Sequence, residues 1–206
     1  MKTLFISLLS KENPQIDNSL FNKLPKNLAI AYSMQYKQLA ISIKKILVKN
    51  HKITFFTQTL GCSSPKISKQ TQAILLVSDG KFHAVSLAYE TNIPIFLYNN
   101  NRIEQISQKE IDKLKQNKKA SYVKYLSSNN IGVLISTKPG QQKLKKAIEL
   151  KNKLNKKIYF FISNNINLGE FENFPQIQSW INTACPRMDF AHDSRIINLN
   201  DLQENI

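Results

Sequence analysis

The longest apolar runs in this sequence are five residues, as in Ala73–Val77 and Ile158–Ile162. A membrane-spanning helix needs about 20, so none is expected. The apolar stretch Leu4–Leu9 is broken by Ser7 and no A-x-A cleavage pattern follows it, which favours a first β-strand over Thr3–Leu9 rather than an export signal. Cysteine is scarce: Cys62 and Cys185 are the two in 206 residues, far apart in the chain. Without an export signal they do not make a disulfide scaffold, and a cytoplasmic location is expected. Glycine (5) and proline (7) are too few for a collagen-like or low-complexity chain. A composition 42% hydrophobic and 21% charged excludes disorder. Acidic residues number 14 against 29 basic ones, giving a net charge of +15. Of those basic residues only Arg102, Arg187 and Arg195 are arginine, whereas base and phosphate readers favour the bidentate guanidinium fork. The lysines are also scattered, so a solvated surface is expected rather than specific nucleic-acid binding. G-x-S-x-G, G-x-x-x-x-G-K, G-x-G-x-x-G, C-x2-C and H-E-x-x-H are all absent, which removes the usual hydrolase, nucleotide-triphosphatase, dinucleotide and zinc readings.

What is present is an alternation of short β-branched runs with helix-period segments. Thr3–Leu9, Leu28–Ser33, Ile53–Thr57, Ala73–Ser78, Ile93–Tyr98, Ile131–Ser136 and Ile158–Ser163 read as seven strands. Tyr36–Lys49 carries Leu39, Ile43, Ile46 and Leu47 on one face, and Leu144–Leu154 carries Leu144, Ile148 and Leu154; both read as amphipathic crossover helices. Strands linked by such helices predict an α/β fold with mainly parallel sheets flanked by helices. The polar helical stretch from Gln108 to Asn130 marks a boundary, and two related domains are expected, residues 1–112 and 113–206. A repeat supports the split: Leu28–Gln35 and Gly132–Gln141 each read strand, loop, glutamine, helix, and the same 18-residue step leads from Gln35 to Ile53 and from Gln141 to Tyr159. In both copies a cysteine follows that second strand, so each copy is expected to present one from a loop.

Four segments carry candidate chemistry. Leu60-Gly61-Cys62-Ser63-Ser64-Pro65 places a thiol in a Gly/Ser/Pro loop, where a thiolate can ligate metal; a free cysteine packed as a small hydrophobe is the plainer alternative. In Thr183-Ala184-Cys185-Pro186-Arg187 the proline fixes the chain after the sulfur and the arginine sets a cation beside it. Ser78-Asp79-Gly80-Lys81-Phe82-His83 reads as a strand end turning into a helix at a sheet's carboxyl edge, where open α/β folds bind ligands; Asp79 as a helix cap is the plainer alternative. Lys138-Pro139-Gly140-Gln141-Gln142 occupies the corresponding place in the second copy, with a glycine and a helix start that would cradle a carboxylate or phosphate. His83 earns no role by itself.

Taken in order, Leu60-Gly61-Cys62, Ser78 through His83, Thr137 through Gln141, Asn173-Phe174, and Trp180 through Arg187 resemble the diphthamide-synthesis family of 2-(3-amino-3-carboxypropyl)histidine synthases over essentially the whole chain. The resemblance implies three related α/β domains, each giving one cysteine to a 4Fe-4S cluster whose fourth iron binds S-adenosylmethionine. Reductive cleavage between sulfur and the methionine Cγ then yields a 3-amino-3-carboxypropyl radical. That radical adds to an imidazole carbon of one histidine in translation elongation factor two, and methylthioadenosine is released. Only the second and third domains match here, so a split enzyme is expected, its first domain and third cysteine supplied by a partner polypeptide in a homo- or hetero-oligomer. On this resemblance Cys62 and Cys185 are the metal ligands, and Asp79, Gly80, Gly140, Gln141 and Arg187 contact S-adenosylmethionine. Ser78 and Lys81 depart from the glycine and arginine usual in the family. The alternatives are a non-catalytic or electron-relaying subunit of the same complex, or a basic module binding RNA or the translation machinery.

Overall fold

A computed structural model describes the chain apart from residues 1–3, 5, 7, 11–14, 60–64, 66, 192 and 204–206. Among the described residues nine strands form two sheets, and the chain divides into two compact units, residues 1–112 and 113–206.

In the first unit the strands are β1 (Asn27–Tyr32), β2 (Lys52–Gln58), β3 (Ala73–Val77), β4 (Ile95–Asn99) and β5 (Arg102–Gln105), ordered β2-β1-β3-β4-β5. The first four are parallel, and β5 returns antiparallel along β4. β3 is buried at all five positions and β1 at all but the first. This is why their sequences read as unbroken apolar runs: a parallel strand covered on both faces has no wet side on which to alternate. Helix α1 (Lys37–Leu47) connects β1 to β2 and buries Ala40, Ile43 and Leu47, the three-and-four spacing of one helical face. Helix α2 (Lys81–Thr91) connects β3 to β4, burying the small side chains of Ala84 and Ala88 beside Val85 and Leu87, and it ends at Asn92 in the left-handed conformation. The β4–β5 hairpin turns on Asn100 and Asn101, both at positive φ. Asparagine tolerates that conformation, and its right-handed twist matches that of the strands.

The second unit repeats the pattern with β6 (Asn130–Ser136), β7 (Lys157–Ser163), β8 (Ser179–Asn182) and β9 (Ile196–Asn198), all parallel and ordered β7-β6-β8-β9. Helices α3 (Gln108–Leu126) and α4 (Leu144–Lys153) supply Tyr125, Ala147 and Leu150 to its core, which a short terminal helix, α5 (Leu199–Gln203), closes with Leu199 and Leu202. A second apolar cluster joins Leu134, Phe171, Ile177, Trp180 and Ile196. The carboxyl end of α3 is held by Lys156, whose ammonium donates to the carbonyls of Tyr125 (3.2 Å), Leu126 (3.1 Å) and Ser128 (2.5 Å) and sits 5.0 Å from the Tyr125 ring centroid. A cation placed there neutralises carbonyls that the helix leaves unpaired.

Helix α3 starts with a capping box. Ser107 Oγ accepts from the Glu110 amide (3.3 Å), while Glu110 accepts from the Ser107 amide (3.0 Å) and hydroxyl (2.8 Å). Those Ser107 bonds hold the Glu110 carboxyl below its ordinary value of 4.5. A depressed carboxylate contributes stability that is complete above its unfolded-state value and disappears as pH falls through the folded one. Ser107→Ala is therefore expected to cost about 1 kcal/mol at pH 7. The gap from the parent should narrow below about pH 4.5, which urea titrations at stepped pH would measure.

The strand pattern differs from the sequence reading in three places. Of the expected strand Thr3–Leu9, the residues Leu4, Ile6, Leu8 and Leu9 belong to no strand and are exposed; Thr3, Phe5 and Ser7 lie outside the described residues. Apolar content alone does not make a strand; pairing with a neighbouring strand decides it. β5, β8 and β9 were not expected, being three or four residues each. Through β8 the two cysteines occupy different places in the repeat: the Cys62 segment follows β2, whereas Cys185 follows β8, the counterpart of β3.

Candidate metal and ligand site

Each parallel sheet gathers its candidate residues at the carboxyl ends of its central strands. In the second unit Cys185 lies three residues beyond β8 and is half-buried, a free thiol. Asn182, the last residue of β8, pairs in register with Asn198, the last residue of β9. Asn182 Nδ2 donates to the Cys185 carbonyl (2.8 Å) and to Asn198 Oδ1 (2.6 Å), while its Oδ1 accepts from the Ala184 amide (2.9 Å). Asn198 Nδ2 donates onward to the Pro186 carbonyl (3.0 Å). Thr183 completes the anchorage through its hydroxyl, which donates to the Leu134 carbonyl of β6 (2.7 Å). Arg187 is exposed at the start of the 3-10 turn Pro186–Ala191.

On the adjacent strand β6, Lys138-Pro139-Gly140-Gln141 forms a tight turn closed by the Gln141 amide on the Lys138 carbonyl (3.0 Å), with Gly140 at φ +79. This is the type II geometry, with proline at the second position and glycine at the third. Helix α4 begins only at Leu144, capped by Lys143. The expected helix start at Gln141 is thus a separate turn, because proline followed by left-handed glycine cannot begin an α-helix. The Gln141 amide is spent on that turn; its half-buried side chain and the open space over Gly140 remain available to a ligand.

In the first unit Asp79 and Gly80 follow β3. Gly80 caps α2 without any side-chain bond, so Asp79 is not the cap. Its carboxylate instead accepts from Gln35 Nε2 (3.0 Å), and its carbonyl accepts from Asn99 Nδ2 (3.3 Å), tying together the loops after β1, β3 and β4. A cleft of about 580 Å³ is lined by Asp79, Lys81, Leu97, Asn99, Asn100, Arg102 and Glu104. Lys81 is engaged by Glu104 and by Glu110 (3.5 Å), and these carboxylates raise its ammonium above the ordinary lysine value, the bond to Glu104 contributing most. The buried hydroxyls of Ser33 and Ser78, at the ends of β1 and β3, have no hydrogen-bond partner among the described residues. Such groups call for a partner, which a bound ligand or ordered water supplies.

Cys62 lies outside the described residues, as does most of its motif. Among the described residues no three His, Cys, Asp or Glu side chains gather as a metal site, and no helix is long and apolar enough to cross a membrane. The polar residues that hold the Cys185 loop, Asn182, Thr183 and Asn198, had no role assigned from sequence. Thr183 opens the cysteine motif and Asn182 directly precedes it, while Asn198 carries no local signal.

These strand-end loops on two repeated sheets define a tandem α/β protein with candidate ligand groups at the carboxyl edge of each sheet. The family described as "Putative diphthamide synthesis protein" matches residues 2–195, and the chain belongs to it. A 2-(3-amino-3-carboxypropyl)histidine synthase of Methanocaldococcus jannaschii is 26% identical over 203 residues, covering 91% of this chain and 56% of that protein. Subunit 1 of the synthase from Mus musculus is 24% identical over 137 residues, covering 64% of this chain and 31% of that protein. The crystal structure of Dph2 from Pyrococcus horikoshii with a 4Fe-4S cluster has the same fold, at a TM-score of 0.74 and 20% identity, over 89% of this chain and 58% of that one. The chain thus spans about half the length of relatives that match nearly all of it.

Proposed function

We propose that this chain supplies two of the thiolates, Cys62 and Cys185, that hold a 4Fe-4S cluster in a 3-amino-3-carboxypropyl transferase of diphthamide synthesis. With two cysteines in 206 residues, a third thiolate must come from beyond them, on a further segment or a partner polypeptide. The observation that carries this reading is the Cys185 loop: a half-buried free thiol at a parallel-strand end, its backbone fixed by buried amides. A soft thiolate on a preset loop is the donor an iron–sulfur cluster takes. Membership of the family, and a 4Fe-4S cluster in a Dph2 of the same fold, support it.

Held by Cys62 and Cys185, a 4Fe-4S cluster would supply the electron needed to open the sulfonium of S-adenosylmethionine. Overall the bond from sulfur to the methionine Cγ breaks and a bond to an imidazole carbon of elongation factor two forms. Methylthioadenosine leaves as a neutral thioether, and loss of the ring hydrogen returns the electron and releases a proton. The chain's own residues bind and orient. Arg187 and the Gln141 side chain would meet the methionine carboxylate and Gly140 leaves room for close approach, while in the first unit the Asp79 carboxylate and the start of α2 at Gly80, which no side chain caps, are the polar groups a ligand would meet. A cytoplasmic setting goes with that substrate.

The test is anaerobic reconstitution with iron and sulfide, with and without the polypeptide that supplies the further cysteine, followed by addition of reductant, S-adenosylmethionine and elongation factor two. One methylthioadenosine per modified histidine is expected from the complex. A complete four-iron cluster on this chain alone would overturn the shared ligation. Steeply salt-dependent binding to arbitrary RNA with no response to S-adenosylmethionine would replace the enzyme reading with that of a basic binding module.

A further inference from the structure

We infer that Asn182 and Asn198 act as a two-amide latch that sets the Cys185 thiolate in its ligating position, which makes them positioning residues for the cluster; this rests on the function proposed above. Both are almost fully buried, at 2% and 4% exposure. A buried primary amide is costly unless its donors and acceptor are matched. Here they are spent on the cysteine loop: Asn182 on Ala184 N–H and the Cys185 carbonyl, Asn198 on the Pro186 carbonyl, and each on the other. The latch thereby grips the backbone immediately before, at and immediately after the sulfur-bearing residue. It leaves the thiol itself outside these bonds, as a ligand must be.

The anchor under the latch is rigid. Asn182 and Asn198 are register partners at the ends of two parallel strands, so the β8–β9 ladder fixes both side chains on the same side of the sheet. The Thr183 hydroxyl ties the next residue to β6. β9 gives Ile197 and Ile196 to the two apolar clusters of this unit, but its last residue, Asn198, belongs to neither. Its terminal residue is explained by what it holds. Outer groups that orient a ligand typically change metal retention by about 10- to 100-fold when removed.

The experiment uses the full chain with its partner, reconstituted anaerobically, comparing the parent with Asn198→Ala, Asn182→Ala and the near-isosteric Asn182→Asp. In Asn182→Asp the carboxylate replaces a donor that faced two oxygens. Expected is an increase of about tenfold or more in the rate at which a ferrous chelator strips the cluster, with a changed electron paramagnetic resonance signal of the reduced cluster. Circular dichroism should report a folded chain; Asn198→Ala, which removes the outer half of the latch, is the variant least disruptive to folding. In parallel, on full chains carrying Cys62→Ser so that one thiol remains, the rate of Cys185 alkylation by iodoacetamide should shift by about tenfold between parent and latch variants. That second reading needs no cluster. If the parent never binds iron but the alkylation rates still differ, the iron–sulfur function fails while the latch stands. If folded variants lose iron and react with iodoacetamide at parental rates, the latch is refuted whatever the fate of the function.

Discussion

Cys185→Ser should abolish methylthioadenosine release by the assembled complex, a loss larger than the roughly 10- to 100-fold that follows removal of an outer-shell partner. The hydroxyl is close in size to the thiol but is a hard, weakly acidic donor, a poor ligand for iron in a sulfide-bridged cluster. The substitution isolates chemistry from folding, because the hydrogen bonds that hold residue 185 engage its backbone: its carbonyl accepts from Asn182 Nδ2 and from the Met188 amide (3.3 Å). The serine variant should therefore melt within a degree or two of the parent, since a half-buried, near-isosteric change away from these bonds stays within about 0.5 kcal/mol. Iron content, visible absorption and product release on the same preparation check it. A serine variant that keeps its full cluster and turns over normally would show that Cys185 is not a ligand.

A large effect on stability is expected at Gly132. It sits in the middle of β6, paired with Trp180 of β8. A Cβ there would meet Trp180 Cζ3 at 2.5 Å and Ile177 Cγ2 at 3.1 Å. The indole cannot step aside: Phe171 stacks on it at 4.2 Å between centroids, and Phe161 packs edge-on at 4.7 Å. Trp180 is 1% exposed. Gly132→Ala should cost about 3 kcal/mol, the upper end of overpacking, out of a total stability of about 5–15 kcal/mol for such a unit. Trp180→Ala alone should cost about 3–5 kcal/mol through the cavity it leaves. In the double variant the new methyl enters that cavity, so the two losses should combine to well under their sum, a coupling that urea denaturation followed by circular dichroism reads directly. Additive losses would mean that the ring and the strand do not compete for this space.

Much of this architecture is written locally. β1, β3 and β6 announce themselves because burial on both faces demands unbroken apolar side chains, and α1 because one covered face demands three-and-four spacing; in α4 the covered residues are Ala147 and Leu150, while Ile148, read on that face, is exposed. The repeat of strand, loop, glutamine and helix is equally visible, and both sheets carry it as the same order of strands, β2-β1-β3 and β7-β6-β8. The Pro139-Gly140 turn is legible because those residue types dominate turns, and the cysteine segments stand out because the sequence holds only two cysteines.

Other features are decided only when distant segments meet. β8 reads Ser-Trp-Ile-Asn, half polar, yet all four residues are buried. Its serine hydroxyl is satisfied by the Arg195 carbonyl (3.1 Å) and its asparagine by the Cys185 and Ala184 backbone and by Asn198. No periodicity carries such partners, since Arg195 and Asn198 each lie sixteen residues further along the chain. The same holds for Gly132, whose missing side chain makes sense only once an indole lies over it. Asp79 looks like a helix cap in sequence and becomes a tie between three strand ends in the sheet. The sequence by itself determined the long buried strands and the amphipathic crossover α1, because these depend on side-chain type and local spacing. The tertiary structure decided what holds the cysteine loop and which strand presents it, because buried polar groups are paid for by partners that only folding brings within hydrogen-bonding distance.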